Sequence, residues 1–212
     1  MGSVEGVVTF SGEIPKRSVP DDAGVRRDLL QVDQKTRGLE FVVVWLNGVK
    51  AGHLSLTNNS ALQPIMDQQG HEFVPHIIAV RSGHEVKFTN SDAANHNVRT
   101  ASSVPTNEFN VFTGIEGSYK RRFVADPQQR PVRVGCDIHP WMRGWVYVFD
   151  HPHFAVTDSQ GRFRIASVPA GRYVLTIRQP DIGYAAERTI TVEAAKATNV
   201  VIQLNAKDVR AR

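Results

Sequence analysis

Hydrophobic and polar residues alternate in short runs along most of the chain. Val4-Glu5-Gly6-Val7-Val8-Thr9-Phe10 is rich in β-branched residues and is closed by Ser11-Gly12. FVVVWL at 41–46 runs into the turn Asn47-Gly48. HIIAV at 76–80 ends at Ser82-Gly83, and Glu85-Val86-Lys87-Phe88-Thr89 alternates with a period of two. Runs of the same kind cover 119–124, 132–135, 145–149, 162–165, 173–177, 189–192 and 200–204. Short strands separated by Gly, Pro, Asn and Asp turns at this spacing predict an all-β protein, a sandwich or a barrel. One helix is expected at most, at 23–30, where Gly24 weakens it. Residues 16–38 are polar and charged and are expected to form a long loop.

The rhythm changes near Asp150-His151-Pro152. Downstream, TDSQGRFRIASVPAGRYVLTI places a turn, Asp158-Ser159-Gln160-Gly161, before one strand, and a second turn, Pro169-Ala170-Gly171, before the next. This segment resembles carboxypeptidase-regulatory-like, transthyretin-like β-sandwich modules, in which TD-x-x-G-x-F is followed by P-A-G-x-Y. Such modules carry an earlier V-x-G-x-V strand and a V-x-V strand, and Val4-Glu5-Gly6-Val7-Val8 and Val42-Val43-Val44 fit those slots. Residues 151–212 alone supply about four strands, a thin core for an independent domain. The reading favoured is a discontinuous sandwich, 1–62 plus 151–212, with 63–150 inserted as a second domain. The simpler alternative is a tandem, 1–150 and 151–212.

Composition changes this picture little. The chain has 212 residues, 41% hydrophobic and 22% charged, a balance ordinary for a globular protein. No run approaches the ~20 consecutive apolar residues of a membrane helix. The start MGSVEGVVTF has neither a basic n-region nor an apolar h-region, so no signal peptide is expected within it. Net charge is +4, but the basic residues are dispersed apart from Lys120-Arg121-Arg122. Nucleic-acid binding wants a dense basic stripe and is not expected. An acidic protein partner would suit the charge, because complementary charge speeds encounter. The single cysteine excludes an internal disulfide.

That cysteine lies in GCDIHPWMRG, 135–144. Cys136, His139 and Met142 recur every three residues, so one tight loop can present a thiol, an imidazole and a thioether to one metal. Two imidazoles, one thiolate and a distant thioether form the blue-copper set, whereas zinc sites rarely recruit Met. Pro140 fixes its own φ and stiffens the loop. The missing imidazole is supplied upstream by FTNSDAANHNVRT, 88–100, where His96 opens a strand. Each residue alone has a commoner role: a buried thiol, a core methionine, a turn histidine. Their coincidence favours copper.

The two segments together resemble the cupredoxin family. A G-x-x-V-x-F-x-N stretch (Gly83, Val86, Phe88, Asn90) is followed by H-N-V and then by C-x-x-H-P-x-M-R-G, a loop most similar to that of amicyanin. The resemblance covers about 65–150 and implies a Greek-key β-sandwich with one type 1 copper ion. His96, Cys136 and His139 would form the trigonal set and Met142 the long axial bond. Asn97 would tie the first ligand loop to the cysteine loop, and Pro140 would support the ligand set from outside it. His139 would be the ligand nearest solvent, with Pro140 and Trp141 as an apolar collar where a redox partner docks. One-electron transfer between a donor such as a dehydrogenase or cytochrome and an acceptor is the implied function, in the periplasm or another extracytoplasmic setting.

No catalytic motif is visible, so an enzyme is not expected. Two other functions stay open. One is copper storage or delivery, with histidines outside the motif as extra ligands. The other is an adhesion module with a vestigial copper site. His71 and His76, in HEFVPH, could form a second metal site, with His84 as a further member, although surface or structural roles are commoner for such residues. His151 and His153, in DHPHF, could bind metal as an H-x-H pair but are better suited to packing at the domain junction. His53 has no informative context, and Asn58-Asn59-Ser60 is a glycosylation sequon.

Overall fold

A computed structural model describes residues 1–49 and 63–209. His53 and the sequon Asn58-Asn59-Ser60 lie outside them. The chain is all-β, with no α-helix among the described residues. Among the described residues no helix is long and apolar enough to cross a membrane. The described residues divide into two compact units, one from 1–18, 25–49 and 153–209, the other from 19–24 and 63–152.

In the first unit, β1 (Gly2–Ser11) is the central strand of one sheet. It pairs antiparallel with β13 (Arg162–Val168) and parallel with β16 (Ala197–Asn205). In the other sheet β2 (Val43–Asn47) lies between β12 (Phe154–Val156) and β14 (Gly171–Gln179), and β14 continues to β15 (Tyr184–Val192). Alternate residues of these strands build one core, including Val4, Val8, Phe10, Val44, Leu46, Phe163, Ile165, Leu175, Ile177, Ile202 and Leu204. The V-x-G-x-V pattern has a steric cause. A Cβ on Gly6 would lie 2.2 Å from the Val200 carbonyl oxygen and 2.7 Å from the Phe163 ring, so β1 passes its neighbours too closely for any side chain there.

The T-D pair is equally physical. Thr157 is buried, and its hydroxyl accepts from Val42 N (2.8 Å) and donates to Leu39 O (2.7 Å). Asp158 Oδ1 accepts from the N–H groups of Gln160 and Arg162, both at 2.9 Å, which closes the turn that Gly161 completes at φ +75°.

The helix expected at 23–30 does not form. That stretch is turn and coil, with Gly24 at φ +74° and a single bridge between Lys16 and Asp28. The segment 16–38 is otherwise held by the bridges Thr9–Gly38 and Val32–Leu39 and by Leu30, which is 1% exposed.

The second unit is also two sheets. One runs β5 (Ile77–Arg81), β11 (Arg143–Phe149), β10 (Val132–Gly135), β7 (His96–Ala101), β8 (Asn110–Thr113). The other runs β4 (Glu72–Val74), β3 (Ile65–Gln69), β6 (Glu85–Asn90), β9 (Ser118–Arg122). Met66, Phe73, Val86, Phe88, Val98, Phe123, Val134 and Val146 fill the space between them. The basic run on β9 is partly compensated, since Lys120 and Arg122 reach Glu85 at 3.3 and 3.6 Å. Strands β3, β8 and β12 were not expected from the hydrophobic pattern. Their residues, such as IMDQQ and NVFT, carry polar side chains on the inward face or apolar ones outward.

Candidate metal centre

The loop between β10 and β11 carries Cys136, His139 and Met142, and β7 begins at His96. Because β10 pairs with β7 as well as β11, both segments reach the same end of one sheet. His96 Nδ1 lies 2.9 Å from His139 Nδ1, and Cys136 Sγ lies 4.0 and 3.8 Å from those two nitrogens. His96 is fully buried, Cys136 is 6% exposed, and His139 is half-buried. Met142 is buried and belongs to the same core cluster as Cys136, while its N–H donates to the His139 carbonyl at 2.9 Å and tightens the loop. Three strong donors from two segments 40 residues apart thus converge at one end of the sandwich, with Met142 buried in the core cluster that also holds Cys136.

Two imidazole nitrogens, one thiol and a thioether suit copper better than zinc or a hard cation, so the residues present fit a copper ion. Burial holds the His139 imidazole below its ordinary pKa, and the neighbouring His96 and His71 reinforce that shift. A neutral imidazole is the form that can bind a metal.

The surrounding groups fix the donors. Asn97 is 7% exposed. Its Oδ1 accepts from Asp137 N (2.8 Å) and from the Cys136 thiol (3.2 Å), and its Nδ2 donates to Asn110 Oδ1 (2.8 Å) and Asp137 Oδ2 (3.1 Å). It therefore ties the His96 strand to the cysteine loop. Arg99 holds the Asp137 carboxyl below its usual range, against a smaller push from desolvation. Pro140 is exposed and Trp141 half-buried, with the indole 5.2 Å from the His139 ring.

One member of the site was not anticipated. Asp92 lies in the turn before His96, and its Oδ2 is 2.9 Å from His96 Nε2. Its carboxylate also accepts from Gly70 N (2.6 Å) and His71 N (2.9 Å). Burial pushes Asp92 upward, but these bonds outweigh it and leave the carboxyl below its usual range. An ionised Asp92 accepts a hydrogen bond from His96 Nε2–H, the tautomer in which Nδ1, the atom facing Cys136 and His139, carries a free lone pair. The only sequence signal was an aspartate four residues before a candidate ligand, and in SDAAN it reads as an ordinary turn former.

Of the remaining histidines, the structure brings His71 to the site. It sits at the tip of the β3–β4 turn at φ +58°, with its ring 5.3 Å from that of His96 and 4.9 Å from that of His139. His71 groups with Asp22 and His139, the three donor atoms all within 4.8 Å of one another. The pairing of His71 with His76 is not what forms. Among the described residues His76 and His84 belong to no metal-competent group, and His84 is exposed in the turn before β6. His151 and His153 fall in different units and also join no such group. His153 is 4% exposed, and desolvation lowers its pKa.

Residues 146–205 match the family of carboxypeptidase regulatory-like domains. Among solved structures, the chain is similar to a copper-containing nitrite reductase from Thermus scotoductus SA-01, at 21% identity and TM-score 0.37 over 42% of this chain and 22% of that one. It is similar to a Cu(I) mutant of amicyanin, at 24% identity and TM-score 0.35 over 40% of this chain and 80% of that one. A purple cupredoxin from Nitrosopumilus maritimus matches at 19% identity and TM-score 0.35 over 41% of this chain and 99% of that one. No curated protein matched the sequence.

Proposed function

We propose that the chain is a type 1 copper protein that transfers single electrons between two redox partners. His96, Cys136 and His139 would hold the copper ion, with Met142 as the thioether donor beside them. The observation that carries this reading is the convergence of the three strong donors, with mutual distances of 2.9, 3.8 and 4.0 Å, at a buried point. A copper ion held there supplies a reversible one-electron couple. The role is a carrier's rather than a catalyst's, because four protein donors leave no open position for substrate. His139, half-buried between Pro140 and Trp141, is the port for electrons. Its partners are redox proteins such as a dehydrogenase or cytochrome, with an acidic face suited to a net charge of +4, in an extracytoplasmic setting. The carboxypeptidase-regulatory-like unit is a docking or tethering module.

The test is the visible spectrum after addition of Cu(II). One ion per chain and an intense absorption near ~600 nm from thiolate-to-copper charge transfer are expected, both lost in Cys136→Ser. A colourless protein whose spectrum does not respond to Cys136→Ser rejects the reading.

A further inference from the structure

Asp22, His71 and His139 are not needed as a group by the copper site, yet each is held in place. Asp22 sits in a turn closed by Gly24 N to Asp21 O (2.9 Å) and by Ala23 N to Asp21 Oδ1 (3.0 Å). His71 occupies a left-handed backbone conformation that a histidine adopts rarely, φ +58° next to Gly70 at φ +63°. Bonds from both residues' N–H groups to Asp92 hold that turn. The result aims the imidazole in a defined direction: Nδ1 lies 3.9 Å from Asp92 Oδ2 and Nε2 lies 3.9 Å from Asp22 Oδ2. The side chains of Asp22 and His71 are 66% and 38% exposed, so the group faces solvent, whereas His96 and Cys136 do not.

We propose that Asp22, His71 and His139 form an outer site for a borderline divalent ion such as Zn(II) or Cu(II). Two imidazoles and a carboxylate are a common donor set for such ions, with metal–donor bonds of about 2.0–2.2 Å. Donors on one tetrahedral ion therefore lie roughly 3.4 Å apart. The donor atoms lie within 4.8 Å of one another on three side chains that are all at least partly exposed, so small side-chain shifts bring them to that spacing. The donors also differ in kind from the inner set. The outer group offers nitrogen and oxygen to a hydrated divalent ion, and the inner group adds a thiolate and a thioether. His139 belongs to both, so an ion arriving at the mouth is already bound to one ligand of the buried site. The outer site is where a metal first lodges. This proposal shares His139 with the reading of the inner site but does not require that the inner site be blue.

The test is calorimetric titration of the Cys136→Ser protein with Zn(II). One ion is expected to bind. Asp22→Asn and His71→Asn, each in the Cys136→Ser background, are expected to weaken it at least tenfold. Asparagine at 71 retains access to the left-handed turn, and Asp22 is exposed, so neither change threatens the fold. His84→Asn is the control and leaves the affinity unchanged. Zn(II) affinity that ignores both Asp22 and His71, or no binding at all, overturns the proposal. The Cu(II) spectrum of the unsubstituted protein separates the two readings. A colourless protein with Zn(II) binding that depends on His71 rejects the type 1 centre and retains the outer site. A coloured protein without that dependence does the reverse.

Discussion

Asn97→Ala is the sharpest probe of how the donor loops are held. The substitution removes four hydrogen bonds at once, two accepted by Oδ1 at 2.8 and 3.2 Å and two donated by Nδ2 at 2.8 and 3.1 Å. They are not of equal worth. Asp137 has a side chain 44% exposed, so water replaces its bond to Nδ2 at little cost. The Asp137 N–H and the Cys136 thiol sit against the buried amide oxygen and are left without their acceptor. Two such bonds are worth about 1 kcal/mol each, and orphaning a buried donor raises the cost of that bond toward ~2 kcal/mol. The space left by the truncated amide adds about 1 kcal/mol. The expected loss is ~2–4 kcal/mol in the metal-free protein. For a domain of about 100 residues this is a drop of roughly 10–25 °C in the melting of the unit that contains Trp141 and Trp145.

The assay is urea denaturation of the metal-free protein, followed by tryptophan fluorescence and compared with Asp137→Ala. Asp137→Ala should cost clearly less than Asn97→Ala, since that side chain is exposed and its bonds are replaced by water. The double variant should fall short of additivity by about 0.5–1 kcal/mol, the coupling expected of residues in contact. A loss below ~1 kcal/mol for Asn97→Ala, with the midpoint unmoved, would refute the claim that this amide ties the loops together.

Two other predictions concern the fold. Asp126 is buried, and its carboxylate binds the Ser103 hydroxyl, Arg130 Nε (2.8 Å) and Gln128 N (2.7 Å). Burial pushes its pKa up, but these partners outweigh that and lower it, so its stabilisation is full above the unfolded value of about 3.9 and fades as pH falls through the folded value. Asp126→Asn should lower stability at pH 7 by about 1–3 kcal/mol and flatten the acid limb of the stability curve below about pH 4; an unchanged limb would contradict this. In the other unit, Gly161→Ala places a Cβ 2.0 Å from the Val8 carbonyl oxygen at φ +75°, and should cost more than ~3 kcal/mol by thermal denaturation. Gly48→Ala, at φ +81° with nothing within 4 Å, should cost only the ~1–2 kcal/mol of left-handed strain; equal effects at the two positions would remove the steric argument.

What the sequence made legible was local. Cys136, His139 and Met142 are three apart on one loop, and His96 opens a strand whose residues alternate, so donor types and spacing alone pointed to one place. The strands of the first unit were legible for the same reason, because Val4, Val8, Phe10, Leu175 and Ile177 put apolar side chains on one face. What stayed hidden depends on contacts between distant segments. Asp92 matters because the β3–β4 turn folds back on it, and no period in SDAAN announces that. β3 was hidden because its inward residue Gln68 is polar yet 0% exposed. The expected helix at 23–30 failed because Gly24 turns the chain, and the turn it makes places Asp22 beside His71.

Gln68 also bears on the choice between electron transfer and storage. Its Oε1 accepts from Thr113 Oγ1 at 2.6 Å, and its Nε2 donates to the Asn97 carbonyl at 3.1 Å, which fixes the backbone next to His96 from below. Asn90, 2% exposed, points the two hydrogens of Nδ2, one of them shared, at the carbonyls of Ala94 (2.8 Å), Thr113 (3.0 Å) and Gly114 (3.0 Å), and its Oδ1 accepts from Asp92 N at 3.0 Å. The whole turn 91–95 is thereby pinned, and Asp92 and His96 with it. Satisfied buried polar networks of this kind are rigid. A storage site gains from loops that open to take up and release ions. An electron-transfer site gains from donors that stay put, because an ion held by them would keep similar surroundings in both of its oxidation states. The bonds of Gln68, Asn90, Asp92 and Asn97 all lie within the protein, so they hold His96 and the cysteine loop in place before any ion arrives, which is what the proposed carrier role requires.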